Sequence, residues 1–144
     1  MTVEENKTLF RRYIGEVYNK GNVAVIDELL APNFVHHNLP PGVRPDREGL
    51  KQFVTVLLAG FPDFRITVED MVAEGDKVVV RATWRGTHKG EFIGIPPTGR
   101  QVTVTEIGIH RIEGGKVSES RVEVDQLGMM QQLGVVPPPG QGGG

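Results

Sequence analysis

The sequence predicts an α+β fold in which three N-terminal helices pack on the concave face of a curved antiparallel sheet, and a short helix ends the domain. Two observations lead to this prediction. Apolar residues recur with the helical period of about 3.6 as far as Phe61, and from Phe64 onwards they alternate with polar residues as in strands. A sheet that bends around helices leaves a conical space, which either side chains or a ligand can fill.

Each predicted helix begins at a residue whose side-chain oxygen can accept hydrogen bonds from the free amides of a helix start. The three caps predicted in this way are Thr2, Asn22 and Asp46. The first helix is expected to end at Gly21, and Pro32 stops the second. The third has a regular helical period that includes Phe53 and Leu57, and it ends before Pro62.

Alternating patterns predict four strands after the helices. They run from Phe64 to a turn at residues 74–76, and then over residues 78–85, 101–112 and 116–125. A final helix from Gln126 to Leu133 ends at Gly134. We therefore expect one domain over residues 1–134, followed by a mobile tail rich in proline and glycine at residues 135–144.

Residues 86–100 form an unusual connection between two predicted strands. Four glycines and two prolines give this segment a tightly specified path. Its apolar residues Phe92, Ile93 and Ile95 indicate that it packs over another part of the molecule. Two interpretations stay open: the segment is a lip over the mouth of a pocket, or it is a crossover that closes one end of the core.

Composition excludes several classes of function. The net charge is −2 and the basic residues are dispersed, which argues against nucleic-acid binding. The absence of cysteine excludes disulfides and thiolate metal sites, and the histidines and carboxylates show no metal-ligand spacing. No signal peptide or membrane-spanning run is visible, so we expect a cytoplasmic protein that does not enter a membrane.

Three separated segments carry a family resemblance: Phe34–Asn38, Gly86–Arg100 and Asp125–Gly134. In this order they resemble the SnoaL-like polyketide cyclase (ester cyclase) family, which belongs to the NTF2-like superfamily of cone-shaped α+β folds. The resemblance covers residues 4–134. It implies a site without a cofactor inside the cone, a small or polycyclic carbonyl compound as substrate, and a homodimer.

The resemblance also implies a mechanism, in which an aspartate on the last strand acts as general acid and base in an intramolecular aldol ring closure. That aspartate corresponds to Val122 in this chain. A histidine that faces it from the neighbouring strand corresponds to Gly108. The sequence therefore predicts the fold of a cyclase without the aspartate and histidine that usually form its catalytic pair.

Four other polar residues are candidates for catalysis, namely His37, Glu106, His110 and Asp125. His37 lies where the family usually has a histidine and could polarise a carbonyl or move a proton near neutral pH. Alternatively, His36 and His37 hydrogen-bond to the backbone of their own loop. Asp125 could instead cap the final helix, since it directly precedes that helix.

The register of the last hairpin decides which of these residues share a face. A three-residue loop with Gly115 in the left-handed conformation places the even-numbered residues from Glu106 to Val124 together. A two-residue loop at Gly114 and Gly115 would instead place His110 opposite Glu119. The sequence leaves both registers open.

The residues expected to contact the substrate are Trp84, Phe53, Leu57, Phe92, Ile95 and Val122. They are apolar residues of the strands, the third helix and the loop, and Trp84 could stack on a flat polycyclic ligand. Acid–base chemistry of the cyclase or hydroxylase type is the leading hypothesis. The alternatives are a water addition like that of epoxide hydrolases, using Arg121 with a carboxylate, and a binding module without catalysis.

Overall fold

The computed structural model describes residues 2–137 and Gly140. Its helices are α1 (Val3–Tyr13), α2 (Ile26–Leu29), α3 (Arg47–Gly60) and α4 (Gln126–Leu133). Its strands are β1 (Leu30–His36), β2 (Arg65–Glu74), β3 (Lys77–Thr87), β4 (Gln101–Glu113) and β5 (Lys116–Val124). The predicted α+β fold is confirmed, because helices pack on a curved sheet and α4 follows the last strand. None of these helices is long and apolar enough to cross a membrane.

The division of the chain at residue 134 stays a prediction. Helix α4 ends where it was expected to, and Gly134 takes the left-handed conformation that terminates it (φ 81°). The proposed mobile tail, residues 135–144, falls mostly outside the described residues, which stop at Pro137 apart from Gly140.

The sheet has the order β1-β5-β4-β3-β2, and one of its pairs is parallel. Strand β1 pairs with β5 in the parallel sense, whereas the sequence predicted an entirely antiparallel sheet built from the four later strands. No local turn marks this strand, because its partner lies far along the chain. Pro32 interrupts its hydrogen-bond ladder, and the register shifts between Leu30 and Val35.

Two of the predicted N-terminal caps are confirmed and one is corrected. Thr2 and Asp46 each accept a hydrogen bond from the amide three residues further on, at 3.1 and 2.9 Å. Asn22 makes no such bond through its side chain. Its backbone carbonyl accepts from the amide of Val25 instead, and the helix starts as a single 3₁₀ turn at Val23–Val25.

The first helix does not continue as an α-helix to Gly21. After α1 the chain forms a π-helical turn at Ile14–Asn19, which holds more residues per turn than an α-helix. The apolar spacing of this segment predicts a helix but does not distinguish the two types. The wider turn changes which residues share a face, and Tyr13 and Tyr18 come together as a result.

The last hairpin combines features of both predicted registers. Its turn has two residues, Gly114 and Gly115, both with positive φ, as in the second alternative. A bulge then shifts the register between Arg111 and Ile112, so that His110 lies opposite Ser120. The even-numbered residues of β4 therefore lie opposite the even-numbered residues of β5. The first alternative predicted this grouping from a three-residue loop, whereas the structure produces it by a two-residue turn followed by a bulge.

The loop after β3 packs closely against the C-terminal end of α3. A Cβ atom added at Gly90 would lie 2.5 Å from the carbonyl oxygen of Ala59, so only glycine allows this approach. The amide of Gly90 donates to the carbonyl of Gly60 at 3.1 Å. His88 is fully buried beneath the loop, and its Nδ1 accepts a hydrogen bond from the amide of Thr98. The segment thus closes one end of the core.

Candidate active site

An apolar cavity lies between the helices and the inner face of the sheet. Its volume is about 150 Å³, roughly ten times what one water molecule needs, so it is more than a packing defect. Its walls come from α1, the π-helical turn, α3, the sheet and the loop after β3. Seven aromatic residues contribute to the lining, namely Phe10, Tyr13, Tyr18, Phe53, Phe64, Trp84 and Phe92.

Five of the six predicted substrate contacts line this cavity: Trp84, Phe53, Leu57, Phe92 and Val122. Ile95 does not line it, because its backbone pairs with Phe92 across a two-residue turn and its side chain packs on the core. Ile93, at that turn, lines the cavity instead. The loop therefore contributes both to the wall of the cavity and to the closure of the core. That the six residues bind substrate stays a prediction.

Glu106 is the carboxylate that the sheet places in the cavity. It lies on the inner face of β4, and it is the one acidic residue of the lining within the described chain. Burial raises the pKa of its carboxyl from 4.5 to about 7, with no opposite charge to offset it. A carboxyl with this pKa can both accept and release a proton near neutral pH.

His110 lies further along β4 and also reaches the cavity. Its Nδ1 is 2.7 Å from the hydroxyl oxygen of Ser120, and its ring packs on Phe10 at 4.1 Å between ring centres. Burial, and secondarily the nearby His36, lower the pKa of His110 to about 3. The ring is therefore neutral near pH 7, and Nε2 is a donor or an acceptor according to how the Ser120 hydroxyl turns.

Gly108 makes the position of this ring possible. A Cβ atom added at residue 108 would lie 2.8 Å from Nε2 of His110 and 3.0 Å from Cγ2 of Val122. Gly108 and Val122 are also register partners across β4 and β5. The two positions at which the family resemblance implies the catalytic pair thus face each other, and the ring of His110 fills space above the glycine.

His37 and Asp125 do not line the cavity. Neighbouring residues of a strand point to opposite faces, and here His36 faces the cavity while Nε2 of His37 lies 3.4 Å from the carboxylate of Glu119. Asp125 caps α4 by accepting a hydrogen bond from the amide of Gly128 at 2.9 Å. Of the four catalytic candidates, the structure brings together Glu106 and His110.

The other face of the sheet carries the charged residues. Arg111 and Glu119 are register partners there, and Arg121 lies 3.8 Å from Glu119. Arg121 therefore points away from the cavity, and the lining contains no lysine or arginine in the part of the chain that the structure describes. Nor do the described residues contain a group of three histidines or carboxylates able to hold a metal ion.

Sequence reasoning missed six polar residues of the lining, namely Tyr13, Tyr18, His36, Asn38, Ser120 and Gln126. Strand alternation could have favoured His36 over His37. The even-face pattern already grouped Ser120 with His110. The tyrosines gave no comparable signal, because they fitted the apolar face of a helix and their contact depends on the π-helical turn.

The fold and the cavity define a cone-shaped NTF2-like domain, the class that the sequence suggested. The model of the SnoaL-like polyketide cyclase family matches residues 8–133, and the chain belongs to that family. Its relatives include the aklanonic acid methyl ester cyclase DauD of Streptomyces sp. (strain C5). That protein is 33% identical over 134 residues, which cover 88% of this chain and 80% of DauD.

Solved structures show the same relationship. TsrD of Streptomyces laurentii has a TM-score of 0.86 and 32% identity, and the match covers 94% of this chain and 99% of TsrD. AclR of Streptomyces galilaeus, a proposed hydroxylase, has a TM-score of 0.83 and 26% identity, covering 97% of this chain and 87% of AclR. The proteins that this chain is similar to are therefore named for two different reactions.

Proposed function

We propose that this protein is an enzyme of the cyclase type that needs no cofactor and moves protons on a small or polycyclic carbonyl compound, with Glu106 as general base and acid. The observation that supports this most is the environment of Glu106. Among the described residues it is the single carboxyl of a mainly apolar cavity, and its pKa is about 7. Perturbed carboxyls of this kind concentrate at catalytic sites.

The proposed reaction is an intramolecular aldol addition. The Glu106 carboxylate removes a proton from the carbon next to a carbonyl, which leaves an enolate. The enolate carbon then forms a carbon–carbon bond to a second carbonyl of the same molecule, and that oxygen becomes an alkoxide. Glu106 returns the proton to the alkoxide, so the product is an isomer of the substrate. Hydroxylation, as proposed for AclR, would need an oxidant such as O₂ in addition to this proton removal.

His110 has an orienting role in this proposal. Its ring is fixed by Ser120 and Phe10, and its Nε2 lies beside the position at which the family resemblance implies a catalytic histidine. We assign no catalytic role to His37 or Asp125, because one binds Glu119 outside the cavity and the other caps α4. The water addition involving Arg121 loses its support for the same reason, since Arg121 faces away.

Proton removal can be tested without the natural substrate. We choose 2-tetralone, a fused-ring ketone with acidic α-hydrogens, and follow its exchange with deuterium in D₂O by proton NMR. The Glu106→Gln variant keeps the size of the side chain but cannot take a proton, so we expect the catalysed exchange to fall by about 100-fold or more. Glu119→Gln, which removes a carboxylate outside the cavity, is the matched control and should retain exchange.

Two outcomes would contradict the proposal. Exchange that survives Glu106→Gln would exclude this residue as the base. Tight binding of 2-tetralone without exchange in the wild-type protein would favour the alternative of a binding module. Aklanonic acid methyl ester, the compound in the name of DauD, is the first natural candidate for a ring-closure assay.

We further propose that the protein is a cytoplasmic homodimer. The charged face of the sheet also exposes Ile107 and Ile109, each with about half of its surface accessible, at 50% and 47%. Apolar residues of this size in the middle of a sheet are candidates for burial against a second copy. Light scattering that gives the mass of a monomer would contradict this part of the proposal.

A further inference from the structure

We propose that Tyr13 and Tyr18 form a hydrogen-bonding site for the oxyanion of the substrate, on the helical wall of the same cavity as Glu106. This inference rests on the proposed function and extends it. Glu106 would create an enolate, and the tyrosine pair would hold the enolate oxygen. The ligand class is then a carbonyl compound that becomes an enolate or a phenolate when it loses a proton.

The π-helical turn brings the two tyrosines onto one face. Residues five apart in an α-helix lie about 140° apart around its axis and do not meet. The turn at Ile14–Asn19 is wider, and it reduces this angle. The hydroxyl oxygens of Tyr13 and Tyr18 consequently lie 3.4 Å from each other, and both rings line the cavity. Such widened turns occur frequently at functional sites.

The two tyrosine hydroxyls together carry two hydrogens, and the hydrogen bond between them uses one of these. Neither hydroxyl has another hydrogen-bond partner among the described residues, although buried tyrosine hydroxyls usually find one. Phenylalanine would fill this wall equally well, as Phe10 and Phe64 do beside it. The remaining hydrogen is therefore available to a ligand.

The tyrosines and Glu106 act on the same space. Burial is the main reason why the pKa of Tyr13 is raised well above 10 and that of Tyr18 to about 12, and the charge of Glu106 is the smallest contribution to both shifts. The phenols thus stay protonated near neutral pH and remain donors. Glu106 lines the same cavity as both tyrosines, so one ligand can contact the carboxyl and the tyrosine pair.

The arrangement matches the movement of charge in the proposed reaction. When Glu106 takes the proton, its negative charge disappears and a negative charge forms on the substrate oxygen. Among the residues that the structure describes, the cavity lining has no lysine or arginine to balance this charge, and its histidines, His36 and His110, are neutral because their pKa values are about 4 and 3. Fixed hydrogen-bond donors in an apolar site stabilise such a charge more strongly than they would in water.

The test uses 2-naphthol, a two-ring phenol whose anion resembles an aromatic enolate, and naphthalene, which has the same rings without the oxygen. The measured quantity is the ratio of their dissociation constants for the wild-type protein and for Tyr13→Phe and Tyr18→Phe. We expect wild type to prefer 2-naphthol, and each substitution to reduce that preference by about tenfold or more. Near-ultraviolet absorption of the bound probe also reports the fraction that is present as the anion.

Two controls distinguish the loss of a hydrogen bond to the probe from a loss of packing and from the effect of Glu106. Phe53→Leu removes ring area from the same cavity and should weaken both probes equally, leaving the ratio unchanged. Glu106→Gln should increase the fraction of bound anion, because it removes a competing negative charge, while it abolishes α-proton exchange. Failure of the exchange test therefore overturns the role of Glu106 without affecting the ratio measured for the tyrosines.

The inference would be overturned if wild type bound 2-naphthol no better than naphthalene. It would also be overturned if both tyrosine variants kept the wild-type ratio. Tyr18 is more exposed than Tyr13, so Tyr18→Phe provides the test if Tyr13→Phe does not fold.

Discussion

At the scale of single residues, Glu106 makes the stability of the protein depend on pH in an unusual direction. Burial keeps its proton in the folded state up to about pH 7, whereas the unfolded chain releases it near 4.5. The folded state therefore binds more protons in this window, and the free energy of unfolding falls as pH rises through it. In the part of the chain that the structure describes, the other titratable residues of the lining are Tyr13, Tyr18, His36 and His110.

Glu106→Gln removes this dependence. We expect its free energy of unfolding, relative to wild type, to increase between pH 4.5 and pH 7.5 by about 3 kcal/mol. Urea unfolding at a series of pH values measures the difference directly. The buried histidines destabilise the fold at low pH, because their pKa values are lowered, but they affect both proteins equally. A difference that does not change with pH would show that Glu106 is not buried as described.

Gly108 is the second residue whose environment makes a sharp prediction. In Gly108→Ala the new methyl group would lie within 3.1 Å of the His110 ring, the Val122 side chain and the carbonyl of Arg121. We expect the ring to move away from Ser120 and the stability to fall by about 1–3 kcal/mol, as in other overpacked sites. Thermal unfolding and the imidazole NMR signals of His110 report the two effects.

Gly15→Ala is the control for this substitution. A Cβ atom at residue 15 would meet nothing within 4 Å, and glycine is a poor helix former. This variant should be as stable as wild type or slightly more stable. Equal stability of Gly108→Ala and Gly15→Ala would contradict the close packing around Gly108.

At the scale of structural elements, the turn at the cavity mouth contains backbone strain. Ile93 has a φ of 49°, a left-handed conformation that is rare for a β-branched residue, and it is followed by Gly94 in the same conformation. Asparagine tolerates this conformation well. Ile93→Asn should therefore raise the free energy of unfolding by about 1 kcal/mol. It should also weaken binding of naphthalene, since Ile93 lines the cavity.

Calorimetry measures both consequences in one preparation. A gain in stability together with a loss of affinity is the expected result, and it would indicate that the strain is retained because the apolar side chain contacts the ligand. Val56→Asn, on the exposed side of α3, is a comparison in which neither change is expected. Lower stability of Ile93→Asn would contradict the strained turn.

The elements that the sequence predicted are those with local signals. Asp46 and Asp125 hydrogen-bond to amides in the next helical turn. Along β3, apolar and polar residues alternate because successive side chains point to opposite faces of the sheet. The elements that it missed depend on distant contacts. Strand β1 pairs with β5 across most of the chain, and the π-helical turn at Ile14–Asn19 has the apolar spacing of any amphipathic helix.

The candidate site was predictable to a similar degree. Alternation along β4 places Glu106 and His110 on one face wherever the hairpin turns, and this grouping is found in the structure. His37 was chosen over His36 because the family usually has a histidine there, whereas in the structure His36 lines the cavity. Tyr13 and Tyr18 could not be selected, because only the three-dimensional path of the helix joins their hydroxyls.

At the scale of the whole molecule, the sheet separates two kinds of chemistry. Its inner face and the helices enclose an aromatic cavity with Glu106, His110 and the tyrosines. Its outer face carries ion pairs such as Arg111 with Asp76, at 3.5 Å, which are solvent-exposed and individually weak. Most charged side chains of the protein therefore lie outside the cavity. A substrate bound in the cavity contacts Glu106 in mainly apolar surroundings.

This separation leads to the central claim, that one group of the cavity titrates between pH 5 and pH 9 and that this group is Glu106. The tyrosines ionise at higher pH and the histidines of the cavity at lower pH. The most direct test is the rate of α-proton exchange of 2-tetralone, corrected for the rate without protein, as a function of pH. We predict a rate that rises with an apparent pKa of about 7 and then stays level, and no such rise in Glu106→Gln. A rise that persists in Glu106→Gln, or a wild-type rate that does not change between pH 5 and pH 9, would contradict the claim.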